Sequence, residues 1–104
     1  DVNLSLLNFM SKTEILDFWA PWCGQCTMMT KMLDQLESEL NEKATLTKVN
    51  IDDLSGIELA KKYSVTKLPT LVFVRDDNEI DRIVGVTTKA SILSSLSKHE
   101  KDSN

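Results

Sequence analysis

The chain has 104 residues, 41% of them hydrophobic, which is enough for one domain that buries a core without covalent staples. Its formal net charge is −4, with lysines and carboxylates interspersed, and this argues against nucleic acid or an anionic membrane as the main partner. Two cysteines are too few for a disulfide scaffold, no apolar run reaches the length of a membrane span, and no signal-peptide pattern is present.

Val2, Leu4, Leu6, Leu7, Phe9 and Met10 crowd the first residues, a density suited to a core but ambiguous between strand and helix. A helix is expected from about Leu4 to Ser11. Thr13 to Ala20 is a short apolar run rich in strand formers, the pattern of a central strand covered on both faces. From Cys23 to about Leu40, the residues Met29, Met32, Leu33, Leu36 and Leu40 recur at three- and four-residue steps and predict a helix with one apolar face. Asn41 to Lys43 ends it. Leu46, Val49 and Ile51 mark the next strand, and a strand, helix, strand order of this length predicts a parallel, right-handed crossover.

Asp52 and Asp53 then offer caps for a short helix through about Tyr63, with Ile57 and Ala60 facing inward. Leu71 to Val74 and Ile80 to Val84 read as a hairpin, joined by the polar residues 75–79. Thr87 or Thr88 caps a last helix carrying Ile92, Leu93 and Leu96, and the tail over residues 98–104, with His99, reads as solvated. No repeat or linker interrupts this order, so residues 1–104 form a single domain.

Both cysteines lie in Trp22-Cys23-Gly24-Gln25-Cys26, at the junction of a buried strand and the first turn of a helix. Unpaired N–H groups and the helix dipole favour an anion there, which lowers the pKa of Cys23 and makes it the expected nucleophile. One helical turn brings Cys26 back towards Cys23, so the pair can close into a disulfide with Cys26 as the shielded, resolving thiol. Two cysteines at this spacing also make half of a structural zinc site, but the chain holds no third cysteine and only one histidine. Met28, Met29 and Met32 are most simply core or rim filler, with a methionine metal site a remote alternative.

The context decides between these readings. Ile15-Leu16-Asp17-Phe18-Trp19-Ala20 ahead of the motif, Trp22 beside it and Leu68-Pro69-Thr70 much later resemble the thioredoxin family, over about residues 10 to 98. The resemblance implies an α/β thioredoxin fold, a central mixed sheet of four to five strands flanked by about four helices. It implies a protein thiol–disulfide oxidoreductase that needs no cofactor or metal beyond a redox-active Cys23–Cys26 disulfide. Disulfide-containing target proteins and an NADPH-dependent thioredoxin reductase are the implied partners of what reads as a monomer. Thioredoxins usually open with a short strand, and that strand is expected to be absent or reduced here.

The same resemblance gives roles to other residues. Asp17 matches an aspartate buried beneath the active site, where desolvation raises its pKa and suits it to act as base for Cys26; the alternative is an exposed strand-end aspartate. Lys48 matches a lysine on the neighbouring strand that stabilises the charged form of that aspartate, with a solvated strand lysine as the alternative. Pro69 matches a cis-proline packed against the disulfide, presenting the backbone of Leu68 and Thr70 to an extended substrate strand. Trp22 on one side, and Val84, Gly85 and Val86 on the other, are expected to form the apolar contact surface. Trp19 is expected to pack under the motif.

Three departures set this chain apart. Gln25 stands where thioredoxins usually carry proline, restoring an N–H donor near Cys23. Lys31 replaces a helix-kinking proline, and Thr27 a basic residue. Lys67, beside the proline loop, reads as a solvated loop side chain, with a bias of the site towards acidic targets as the alternative. Gln25, together with a first residue that is not methionine, keeps open a thiol oxidase or isomerase of an exported or organellar compartment rather than a cytoplasmic reductase. A non-catalytic binding subunit is the rival from another class. A glutaredoxin fits less well, because Trp22, Asp17 and the Gly24-Gln25 interior do not suggest a glutathione site.

Overall fold

Thr13–Trp19 forms strand β1, and its alternation sorts the residues on either side of it. The computed structural model describes residues 12–40 and 43–100. Ile15 points into a cluster with Met29, Leu33, Leu36 and Leu40, the apolar stripe of helix α1 (Gly24–Leu40). Its neighbours Leu16 and Phe18 point the other way, into a cluster with Val49, Tyr63, Val72 and Val74. A strand covered on both faces accounts for apolar residues on both sides of β1, Ile15 on one and Leu16 and Phe18 on the other.

The remaining elements are β2 (Ala44–Asn50), α2 (Leu54–Lys62), β3 (Thr70–Arg75), β4 (Asn78–Val84) and α3 (Lys89–Glu100). The strands form one mixed sheet in the order β2-β1-β3-β4. β1 runs parallel to β2, as expected of two strands joined through a helix, and antiparallel to β3, which pairs with β4 as a hairpin. Ile92 and Leu96 of α3 join the cluster under α1, and Leu59 and Ala60 of α2 pack on the opposite one. Helices α1 and α3 thus cover one face of the sheet and α2 the other. Among the described residues there are four strands and three helices; the helix expected from about Leu4 to Ser11, and any strand before it, lie outside the described residues.

Four local expectations are corrected. Asp53 occupies the N-cap position of α2, but its side chain makes no capping bond, and the Asp52 carboxylate is taken up by Trp22 instead. Ile57 faces solvent at 37% exposure, because the side of α2 pressed against β2 is set by Gly56. A Cβ at Gly56 would lie 1.9 Å from the Asn50 carbonyl oxygen, so only glycine allows this approach. The hairpin loop shrinks to Asp76 and Asp77, both at positive φ, as a two-residue hairpin turn requires. His99 belongs to the last turn of α3 rather than to a solvated tail: it is partly buried, its Nε2 lies 3.3 Å from the Asp81 carboxylate, and its carbonyl accepts from Arg75.

The cap of α3 is Thr88, whose Oγ1 accepts from the Ser91 amide at 3.2 Å. Arg82 of β4 reaches over the end of α2, donating to the carbonyls of Tyr63 and Ser64 while Glu79 holds its other edge. A cation at a helix C-terminus meets the unpaired carbonyls there. It also ties down the start of the loop that leads to Pro69.

Candidate active site

Strand β1 ends at Trp19, and the chain turns through Ala20, Pro21 and Trp22, with the Cys23 amide bonded to the Ala20 carbonyl at 3.1 Å. Cys23 stands immediately before α1, where the first helical N–H groups have no partner within the helix. Its sulfur takes one of them: the Cys26 amide donates to Cys23 Sγ at 3.2 Å. Cys23 and Cys26 are joined by a disulfide across the first turn, with Cα atoms 5.3 Å apart. Cys23 is partly exposed, whereas Cys26 is 1% exposed. Only one of the two sulfurs can therefore meet an external partner. A Cβ at Gly24 would touch nothing within 4 Å, so glycine here leaves the surface beside Cys23 clear.

Asp17 is fully buried on β1, on the same face as Ile15 and therefore on the side that α1 covers. Neither carboxylate oxygen has a hydrogen-bond partner among the described residues. Burial raises its pKa from the ordinary 3.8 to about 6, opposed by the positive charge of Lys48 and assisted by the negative charge of Asp34. Lys48 faces Asp17 across the β1–β2 register, but its ammonium bonds to Asp34 of α1 at 2.9 Å. Lys48 thus acts on Asp17 through space, while its ion pair lies at the half-exposed surface, where such pairs contribute little stability.

The Leu68–Pro69 peptide is cis. Thr70 Oγ1 donates to the Lys67 carbonyl at 2.6 Å, closing the loop on itself. Gly85, at φ +91°, donates its amide to the Pro69 carbonyl at 2.8 Å, which brings the exposed Val84 and Val86 beside the proline. Trp22 is 68% exposed, and its indole N–H donates to Asp52 Oδ1 at 3.2 Å. Trp22, Cys23, Gly24 and Gln25 line one side of a groove of about 420 Å³, with Lys67 and Leu68 on another. The groove opens the two-cysteine motif to the proline loop. Trp19 is partly buried, and its indole N–H has no partner among the described residues.

The sequence model described as Thioredoxin matches residues 4–98. The chain belongs to the thioredoxin family. It is 42% identical over 86 residues to the thioredoxin of Chlamydia trachomatis serovar D, covering 83% of this chain and 81% of that one. With a thioredoxin of Staphylococcus aureus it shares 34% over 102 residues, covering 94% and 96%. The X-ray structure of Fasciola hepatica thioredoxin superposes with a TM-score of 0.76 at 33% identity, covering 91% of this chain and 88% of that one. A malaria parasite thioredoxin-2, described as a component of that parasite's protein secretion machinery, superposes equally well at 28% identity over 85% and 84%.

As a thioredoxin, the protein is a thiol–disulfide oxidoreductase whose redox group is the disulfide of its two-cysteine motif. The family implies target disulfides and a reductase partner. Among the described residues, no group of three or more His, Cys, Asp or Glu is placed to hold a metal ion, and no helix is long and apolar enough to cross a membrane. Asp52 and Asp34 were missed by sequence reasoning. Asp52 looked like a helix cap, and nothing in the sequence links it to a tryptophan thirty residues away. Asp34 sits among polar residues on the outer face of α1, and only the strand register brings Lys48 to it.

Proposed function

We propose that the protein reduces disulfides of target proteins in a reducing, cytoplasmic compartment, with Cys23 as nucleophile and Cys26 as resolving thiol. The observation that carries this reading is the pair of sulfurs bonded across the first turn of α1, one partly exposed and one buried. In the dithiol state, Cys23 is a thiolate supported by the Cys26 amide and the helix start. It attacks a target sulfur, the target disulfide breaks, and a Cys23–target mixed disulfide forms as the departing sulfur takes a proton. Asp17 removes the Cys26 proton, Cys26 attacks Cys23 Sγ, and the target leaves with both sulfurs reduced. Two electrons have passed to the target, and the Cys23–Cys26 disulfide has formed.

Trp22, Val84 and Gly85 border the target's path, and the backbone of Leu68 and Thr70 beside Pro69 supplies pairing groups for an extended segment. Lys48 keeps the pKa of Asp17 from rising further, and Gly24 and Gln25 shape the ground around the thiolate. The test is reduction of a protein disulfide with NADPH and a thioredoxin reductase as electron source, and separately with glutathione. Turnover with the reductase is expected, and turnover with glutathione alone would overturn the reading. Cys23→Ser should be inactive, and Cys26→Ser should accumulate the mixed disulfide with its target.

A further inference from the structure

Asp17 lies between two elements that carry charge towards it. On β2, Lys48 stands opposite it in the strand register. On α1, the helix that also carries the Cys26 thiol, the charge is Asp34. On β3 its register partner is Leu71, an apolar member of the cluster under α1. Among the described residues, Lys48 and Asp34 are the charges that act on the Asp17 carboxyl, Lys48 lowering its pKa and Asp34 raising it. These two charges are not independent. Lys48 Nζ lies 2.9 Å from Asp34 Oδ1, while neither oxygen of Asp17 has a hydrogen-bond partner among the described residues. The ammonium is drawn to the carboxylate on the helix surface and not to the buried one. Both side chains of the pair are about half exposed, at 41% and 53%, so their bond adds little to stability. Its effect falls on the buried neighbour.

We propose that Asp34 is a positioning residue for proton transfer from Cys26: by anchoring the Lys48 ammonium at the outer face of α1, it keeps that cation from pairing with Asp17. This rests on the reading of Asp17 as the base of that step. A carboxylate bonded directly to an ammonium holds its negative charge but binds a proton weakly, whereas a base for a thiol works best with a proton affinity near the working pH. Asp34 thus preserves the basicity that burial confers on Asp17, and it does so without touching the reacting atoms. The chemistry itself is unchanged. The proton passes from Cys26 Sγ to Asp17, Cys26 Sγ bonds to Cys23 Sγ, and the Cys23–target bond breaks with its electron pair leaving on the target sulfur.

The test follows the Asp17 carboxyl by carbon-13 NMR across pH in the oxidised protein, for the parent, Asp34→Asn, Asp34→Glu, Lys48→Ala and the Asp34→Asn/Lys48→Ala double variant. Asp34→Asn removes one negative charge and frees the ammonium, so the proton affinity of Asp17 should fall by about threefold, the scale of a half-exposed ion pair. Asp34→Glu restores a carboxylate and should return the midpoint towards that of the parent. Once Lys48→Ala has removed the ammonium, adding Asp34→Asn should lower the affinity by at most half as much. An Asp17 midpoint in Asp34→Asn at or above the parent value would overturn the proposal. So would an equal fall with and without Lys48, since Asp34 would then act by its own charge alone. The functional readout is single turnover of the reduced protein with a protein disulfide, in which target release by Asp34→Asn should reach half its full rate at a lower pH than in the parent. A carboxyl midpoint that moves while this rate profile stays fixed would overturn the underlying reading of Asp17 as the base instead.

Discussion

Replacing Asp17 by asparagine should make the protein more stable at neutral pH and slower to turn over. The side chain is fully buried, without a hydrogen-bond partner among the described residues, and its pKa lies near 6 rather than 3.8. Between those two values the unfolded chain has released this proton while the folded protein still holds it, so stability falls as pH rises through that window and then levels off. At about 1.4 kcal/mol for each tenfold change in proton affinity, the cost is about 1 kcal/mol at pH 4.5 and about 3 kcal/mol at pH 7.5. Asparagine keeps the shape and the polar atoms but never ionises, so it should recover that pH-dependent part. Urea unfolding of the oxidised parent and variant at steps from pH 4.5 to 7.5 measures it, and heating at pH 7.5 should show a gain of about 12 °C. Turnover on a protein disulfide should drop by about a hundredfold at pH 7, as Cys26 loses its proton acceptor. A variant less stable than the parent at pH 7.5, or a stability difference that does not change with pH, would refute the placement of a charge in this site.

Lys48→Ala should move the midpoint of that same pH window upward, because the ammonium charge lowers the pKa of Asp17; an unmoved midpoint would show that Lys48 is only a surface residue paired with Asp34. Gly56→Ala should cost about 3 kcal/mol, the upper range for overpacking, since the new methyl meets the backbone oxygen of Asn50 rather than a movable side chain. A loss below about 1 kcal/mol in urea unfolding would mean that α2 shifts away from β2 freely. Gln25→Pro removes a donor N–H next to the thiolate, so the reduced form should be less favoured and the potential lower by about 30 mV, a tenfold change in the equilibrium constant. An unchanged or higher potential against a glutathione or dithiothreitol couple would end that argument.

Periodicity made much of this molecule legible. Thr13–Trp19 could be read as a doubly buried strand because Ile15, Leu16, Phe18 and Trp19 put large apolar residues on both of its faces, and α1 because Met29, Leu33, Leu36 and Leu40 repeat on one face. The redox motif was legible from its spacing and its surroundings together. What escaped were contacts between residues far apart in the chain. Asp52 carries the composition of a helix cap, yet Trp22 comes within its reach once β1 and β2 lie side by side, with the Ile51 amide bonded to the Trp19 carbonyl at 3.0 Å. Ile57 looks like core in a sequence of alternating polar and apolar residues, but the nine residues of α2 are turned so that Gly56 meets the β2 backbone. His99 reads as tail until the Phe73–Asp81 pairing of the hairpin puts the Asp81 carboxylate beneath the last turn of α3.

The central claim is that sulfur 23 is held as a reactive anion while sulfur 26 is kept from solvent, and alkylation tests it most directly. The reduced protein is treated with iodoacetamide across pH 5 to 10, and modification at each cysteine is followed by peptide mass. Cys23 should react much faster than Cys26 at pH 7, with a midpoint well below the ~8.5 of a free thiol. Equal modification of the two, or a Cys23 midpoint at the free-thiol value, would contradict the account.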